Sequence, residues 1–188
     1  LRDYETDGED NSFFLKSGKG DICRFLNDYM SKYKATKKNG YISMFTCNHD
    51  TPRPANTLTP EELKIAYAFI YYGDEIGMRY MKDIRSKEGG FHRTGSRTPM
   101  QWDNSANKGF STAEAQKLYL AVDSSEDAPN VADQMNDENS LYSTTKSLVA
   151  LRYMHADLQA DADFNVIYAE QEKMPFVYKR GKLILAIN

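Results

Sequence analysis

The sequence predicts an α/β unit followed by an all-β appendage. From residue 21 to 72 the apolar pattern alternates between helical spacing and short buried runs, in the order helix, strand, helix, strand. From Phe164 onward it becomes a succession of short strands. Between the two patterns, a stretch rich in Gly, Asn, Ser and charge runs from about Met78 to Asp137. A loop that long inside a compact domain is usually functional.

Residues 1–20 are polar and Gly-rich and read as loop. Over 21–34, Ile22, Phe25, Leu26, Tyr29, Met30 and Tyr33 fall on one helical stripe, and the cation-rich "KATKKNG" closes the helix. Tyr41 to Thr46 read as a short buried strand. Thr59, Pro60 and Glu62 then announce a helix: an N-cap, a first helical position and a capping box. Ile70-Tyr71-Tyr72 read as a second buried strand. Residues 139–155 return to helix, with His155 as a cation at its C-terminus. "FNVIYA", "PFVYK" and "KLILAIN" are strands, the last two joined by a tight turn at Arg180-Gly181. The last of them runs to Asn188 and leaves an edge to be paired. Phe69 passes directly into Ile70 with no turn residue between Ala66 and Tyr72. A chain that must reverse direction needs one, so a break is expected there.

The bulk composition narrows the function classes. Of 188 residues, 40% are apolar and 12% aromatic, enough for a real core. A net charge of −3 argues against a nucleic-acid partner. No apolar run approaches the ~18 residues of a membrane span. Cys23 and Cys47 make no metal spacing and are expected as buried thiols. The chain opens Leu1-Arg2-Asp3-Tyr4 without a signal peptide, so the expected location is the cytoplasm.

Three polar clusters stand out. Asn48-His49-Asp50 follow the first strand, where α/β proteins gather binding groups. A carboxylate there could stabilise a developing cation or hold sugar hydroxyls, and the imidazole could donate beside it. Asn and Asp after a strand can equally cap a turn. "GSRTPMQWD" (95–103) brings Arg97, Gln101, Trp102 and Asp103 together. The indole could stack on a sugar face, or could pin a long loop to the body. Asp74-Glu75 end the second strand as a site or as solvating charge. The acidic run Asp123 to Asp137 reads as solvated surface.

Together these pieces resemble the α-amylase family of glycoside hydrolases, in its α-glucosidase, oligo-1,6-glucosidase and trehalose-synthase-like branch. "MFTCNHDTPR" resembles the motif ending that family's seventh barrel strand and "FIYYGDEIGM" its eighth. "GSRTPMQWD" is similar to the loop motif of this branch, and "SLVALRYMHADL" to its eighth helix. The resemblance implies a partial (β/α)8 TIM barrel over 1–160, about the last two and a half βα units, and the beginning of a β-sandwich C-terminal domain over 161–188.

It also implies site roles. Asp50 matches the carboxylate that stabilises the transition state by gripping hydroxyls in the minus-one subsite. His49 donates to the same sugar, with Asn48 beside it. Arg53 lies near that subsite. Arg97, Gln101 and Trp102 shape the pocket, and Asp74 and Glu75 match the strand-eight end. The expected activity is retaining hydrolysis of α-glucosidic bonds in short oligosaccharides, with an α-glucan oligosaccharide as substrate. Alternatives are a transglycosylase or isomerase such as a trehalose synthase, or a non-catalytic carbohydrate-binding relative. A stand-alone product of 188 residues would need a partner chain for its open edges. The family's nucleophilic Asp and acid/base Glu, about 5 Å apart, match nothing here and belong to the barrel upstream. The chain alone is therefore expected to be inactive. The chemistry requires no cofactor; some relatives carry structural calcium, and no dense oxygen-ligand motif is visible.

Overall fold

The computed structural model describes residues 2–3, 11–12, 14–15, 21–42, 47, 53–69, 75–85 and 92–188. The expected loop over 1–20 contains a minimal antiparallel pair, β1 (Arg2–Asp3) with β2 (Asn11–Ser12). Of the strand expected over Tyr41–Thr46, Tyr41 and Ile42 are not in a strand, and 43–46 lie outside the described residues. So do the second expected strand and the break expected after Phe69. All strand pairs among the described residues are antiparallel.

Helix α1 (Ile22–Thr36) forms where the apolar stripe predicts it. Asp21 caps it, its carboxylate accepting from the Cys23 amide at 2.8 Å. At the far end the Lys37 amide reaches the Tyr33 carbonyl at 2.9 Å and the Gly40 amide reaches that of Thr36 at 3.0 Å. Ile22 and Leu26 are buried. Each stabilises the fold by about 1.5–3 kcal/mol relative to an exposed position.

Helix α2 (Pro60–Phe69) opens with the expected capping box. The Glu62 carboxylate accepts from the Thr59 amide at 2.8 Å, and the Thr59 hydroxyl accepts from the Glu62 amide at 3.3 Å. Leu58, just before the cap, shares a core with Leu63 one turn in, the staple that fixes a helix's entry angle. Before it, Pro54–Asn56 make one 3-10 turn, with the Leu58 amide on the Pro54 carbonyl at 2.9 Å.

The long segment before residue 137 is less irregular than its composition suggests. It carries 3-10 turns and a short helix, α3 (Val131–Met135), capped by Asn130. Helix α4 (Leu141–Met154) is capped by Ser140 and ends at His155, whose amide donates to the Leu151 carbonyl at 3.1 Å.

Strands β3 (Phe164–Glu170), β4 (Lys173–Arg180) and β5 (Leu183–Ile187) form one antiparallel sheet in that order. Arg180 pairs with Leu183 across a two-residue turn. Gly181 takes φ +51 there, and a Cβ would lie 1.9 Å from an Asp157 carboxylate oxygen. Only glycine meets both conditions.

Among the described residues two cores stand out. One joins Phe14, Leu58, Leu63, Ala66 and Tyr67 to Leu141. The other joins Ile22 and Leu26 of α1 to Phe164, Phe176, Tyr178 and Ile187 of the sheet. Ile65 of α2 packs against both. On the α1 face, Phe25, Tyr29 and Tyr33 stack at 5.4 and 5.8 Å, and Phe164 meets Tyr29 edge-on at 5.7 Å. The Phe164 amide donates to the Tyr33 hydroxyl at 3.2 Å. Burial pushes the Tyr178 phenol up to about 12. The sheet beyond residue 160 thus shares its interior with the first helix.

Neither cysteine forms a disulfide, and both are half-buried where the sequence suggests full burial. Cys23 sits at the rim of a groove between α1 and β3, beside Leu26, Met30, Val166 and Ala169. Burial, then the neighbouring Asp21 carboxylate, pushes its thiol up. Among the described residues no helix is long and apolar enough to cross a membrane.

Candidate functional site

Asn48, His49, Asp50 and Asp74 lie outside the described residues. Arg53, Glu75, Arg97, Gln101 and Trp102 lie inside them.

Arg53 is extended, at φ −68 and ψ 144, just before the Pro54 turn. The buried proline fixes where that arginine leaves the chain. Its Nη2 donates to the Ser96 carbonyl at 2.9 Å. This bond joins the segment following Asp50 to "GSRTPMQWD", 43 residues on. The family resemblance expects both near one pocket, and the Arg53–Ser96 bond is a physical contact between the two segments.

The second segment is tightly held. Thr94, Ser96, Thr98 and Gln101 are buried while Arg97 is exposed. The Met81 amide donates to the Gly95 carbonyl at 3.2 Å, so two backbones run side by side. A Cβ at Gly95 would lie 2.1 Å from the Met81 carbonyl oxygen. Gly95→Ala is therefore expected to cost about 1–3 kcal/mol, because backbone and not a flexible side chain must give way. Thermal unfolding of the full-length protein checks this. An unchanged melting temperature would mean that the two backbones do not run this close.

Gln101 and Trp102 behave oppositely. Gln101 is 1% exposed, and its amide nitrogen donates to the Pro129 carbonyl. Trp102 is 50% exposed, yet its backbone is clamped on both sides. Its N–H donates to the Lys108 carbonyl at 2.8 Å, and its C=O accepts from the Ala132 amide at 2.9 Å. The Val131 amide holds the Gln101 carbonyl at 3.1 Å. A rigid backbone thus carries an indole open to solvent. Asp103 turns away into its own loop, accepting from the Ser105 amide and hydroxyl, which hold its carboxyl below the usual range.

Glu75 is exposed at the head of the 75–85 segment. Ile76, Gly77 and Met78 behind it are buried. Gly77 takes φ +66, with the Leu141 side chain where a Cβ would stand.

The acidic run 123–137 is not a solvated surface throughout. Asp123 is 8% exposed and Asn130 1%. Arg79 forks across the run: Nε donates to Asp123 at 3.0 Å, Nη1 and Nη2 to Asp127 at 3.0 and 3.1 Å, and Nη2 also to the Ser125 hydroxyl at 2.5 Å. Burial pushes the Asp123 carboxyl up, but the hydroxyl and amide of Ser125, together with Arg79, outweigh it and leave it lowered. Arg79 lowers Asp127 as well. Asn130 and Asn104 donate to the Asp133 carboxylate at 2.7 and 2.8 Å, tying α3 to the loop beyond Trp102. Sequence reasoning missed these residues because their partners lie up to 48 positions away. The one local signal is Asn130, whose side chain accepts from the Asp133 amide as a helix cap. Among the described residues no three His, Cys, Asp or Glu side chains converge as a metal site.

Comparison with known proteins shows the family of the chain. The family description "Alpha amylase, catalytic domain" matches residues 15–161. Glucan 1,6-alpha-glucosidase of Streptococcus dysgalactiae subsp. equisimilis is 29% identical over 82% of the chain, which covers 36% of that enzyme. Trehalose synthase/amylase TreS of Mycobacterium tuberculosis is 38% identical over 46% of the chain, 14% of that enzyme. The trehalulose synthase MutB of Pseudomonas mesoacidophila superposes with a TM-score of 0.65 at 20% identity, over 86% of this chain and 38% of that one. The chain thus spans little more than a third of the length of the glucan 1,6-alpha-glucosidase and of the MutB chain. On the match over most of its length, the chain belongs to the alpha-amylase catalytic-domain family.

Proposed function

We propose that the chain forms the C-terminal part of the catalytic barrel of a retaining α-glucosidase. It would contribute about the last two and a half βα units over 1–160, and the beginning of a β-sandwich over 161–188. The substrate would be a short α-glucan oligosaccharide. The supporting observation is the Arg53–Ser96 bond, which joins Arg53, shortly after Asp50 in the sequence, to the segment of Arg97 and Trp102.

In this reading a nucleophilic Asp and an acid/base Glu come from barrel segments outside these 188 residues. The acid protonates the glycosidic oxygen while the nucleophile attacks the anomeric carbon. A water proton then goes to the same Glu as hydroxyl attacks the glycosyl-enzyme. Asp50 grips sugar hydroxyls and stabilises the oxocarbenium-like transition state; His49 and Asn48 donate beside it. Arg53 fixes the join between the two segments. Arg97 and Glu75 line the pocket, and Trp102 offers a stacking face that buried Gln101 holds in place. No step calls on a cofactor.

The match to a trehalose synthase over 92 residues favours a second reading, in which a sugar hydroxyl replaces water in the second step. One experiment separates the two. The full-length protein is given maltose and isomaltose, and the products are followed by proton NMR from the first minutes. α-Glucose appearing first establishes retaining hydrolysis. Trehalose from maltose supports the second reading. No turnover at all, with sugar still bound, leaves a carbohydrate-binding relative.

A further inference from the structure

We propose that Arg79 is a positioning residue that sets substrate affinity by holding, through segment 123–134, the loop that presents Trp102. The inference deepens the proposed function and rests on its reading of Trp102 as a substrate contact.

Segment 123–134 behaves as a bridge with both feet on 76–79. At one foot, the Arg79 fork holds Asp123, Ser125 and Asp127. At the other, the Gln134 amide donates to the Ile76 carbonyl at 2.8 Å. The same Gln134 accepts from the Tyr142 amide at 3.0 Å, which ties this foot to the start of α4. Between the feet, the crown grips the Trp102 loop. The Pro129 carbonyl receives the Gln101 amide, Val131 and Ala132 donate to the Gln101 and Trp102 carbonyls, and Asn130 and Asp133 secure Asn104. Every backbone contact fixing Trp102 from that side is made by residues of the bridge.

A fork spanning two carboxylates and a hydroxyl demands arginine. Lysine offers a single point charge, which cannot span both acids in one geometry. Among the described residues, the hydrogen bonds and ion pairs of Arg79 reach Asp123, Ser125 and Asp127 and not Trp102, so its effect on the indole passes through the bridge. Loss of the fork frees one foot, loosens the crown and lets the indole wander. A wandering platform weakens substrate and transition state alike, so KM rises while kcat stays.

The test uses the full-length enzyme with Arg79→Met and Arg79→Lys. Expected results are a 3- to 10-fold rise in KM for R79M at unchanged kcat, with R79K intermediate, as about 0.7–1.4 kcal/mol of lost binding would give. Hydrogen exchange at the Val131 and Ala132 amides should quicken in R79M. In a Trp102→Ala background, R79M should add nothing further to KM. Wild-type protection at residues 131 and 132 overturns the inference, as does an additive KM effect beside W102A. A fall in kcat matching a loss of folded protein overturns it too, since a merely structural arginine would give that. Failure of the underlying reading looks different: wild-type enzyme turns over no α-glucoside, while the exchange result stands on its own.

Discussion

Replacing Asp50 with asparagine in the full-length enzyme is expected to lower kcat by about 10³-fold or more, roughly 4 kcal/mol of transition-state stabilisation. The substitution keeps size and shape and removes only the negative charge. A neutral amide still fits between sugar hydroxyls in the ground state, so KM should move little. In the transition state the anomeric carbon carries developing positive charge, and there the lost charge is felt. Steady-state kinetics beside a melting curve checks this. A kcat within 10-fold of wild type, with the fold intact, would remove Asp50 from the mechanism. His49 would then become the residue of this loop to test next.

Phe176→Ala is expected to cost about 3–5 kcal/mol. The side chain is 1% exposed and stacks on Tyr178 at 5.1 Å, inside the core that also holds Ile22 and Leu26. A loss of that size is a large part of the ~5–15 kcal/mol that holds a typical domain folded. It should not stay local. Because α1 and the sheet share one interior, amides of α1 should exchange faster in the variant. If they keep wild-type protection while β4 and β5 open, the strands after residue 160 unfold independently of α1.

What the sequence made legible was local. The capping box at Thr59 and Glu62, the stripe of α1 and the turn at Gly181 each depend on residues within one or two turns of each other, and each stands where the pattern places it. The short helix α3 escaped because five residues give no periodicity, and its acidic surroundings look like solvent-facing loop. The Arg79 fork escaped for a different reason. Its partners are 44 to 48 residues away, and nothing in "GMRYMKD" says which acids it will find. Arg97 and Trp102 were legible as members of one cluster on a long loop, with the role of the indole left open. The burial of Gln101 between them and the body was not, since a glutamine beside a tryptophan carries no mark of which side faces in. The bond from Arg53 to Ser96 is purely tertiary, and no local pattern announces it.

That bond has a consequence for how the site can change over generations. Arg53 addresses the carbonyl of residue 96, a group that every amino acid carries. Replacing Ser96 by another small residue leaves the acceptor where it is. The attachment is blind to side-chain identity on one partner and strict on the other. Side chains beside the join can therefore change while Arg53 and the proline after it keep the two segments in register.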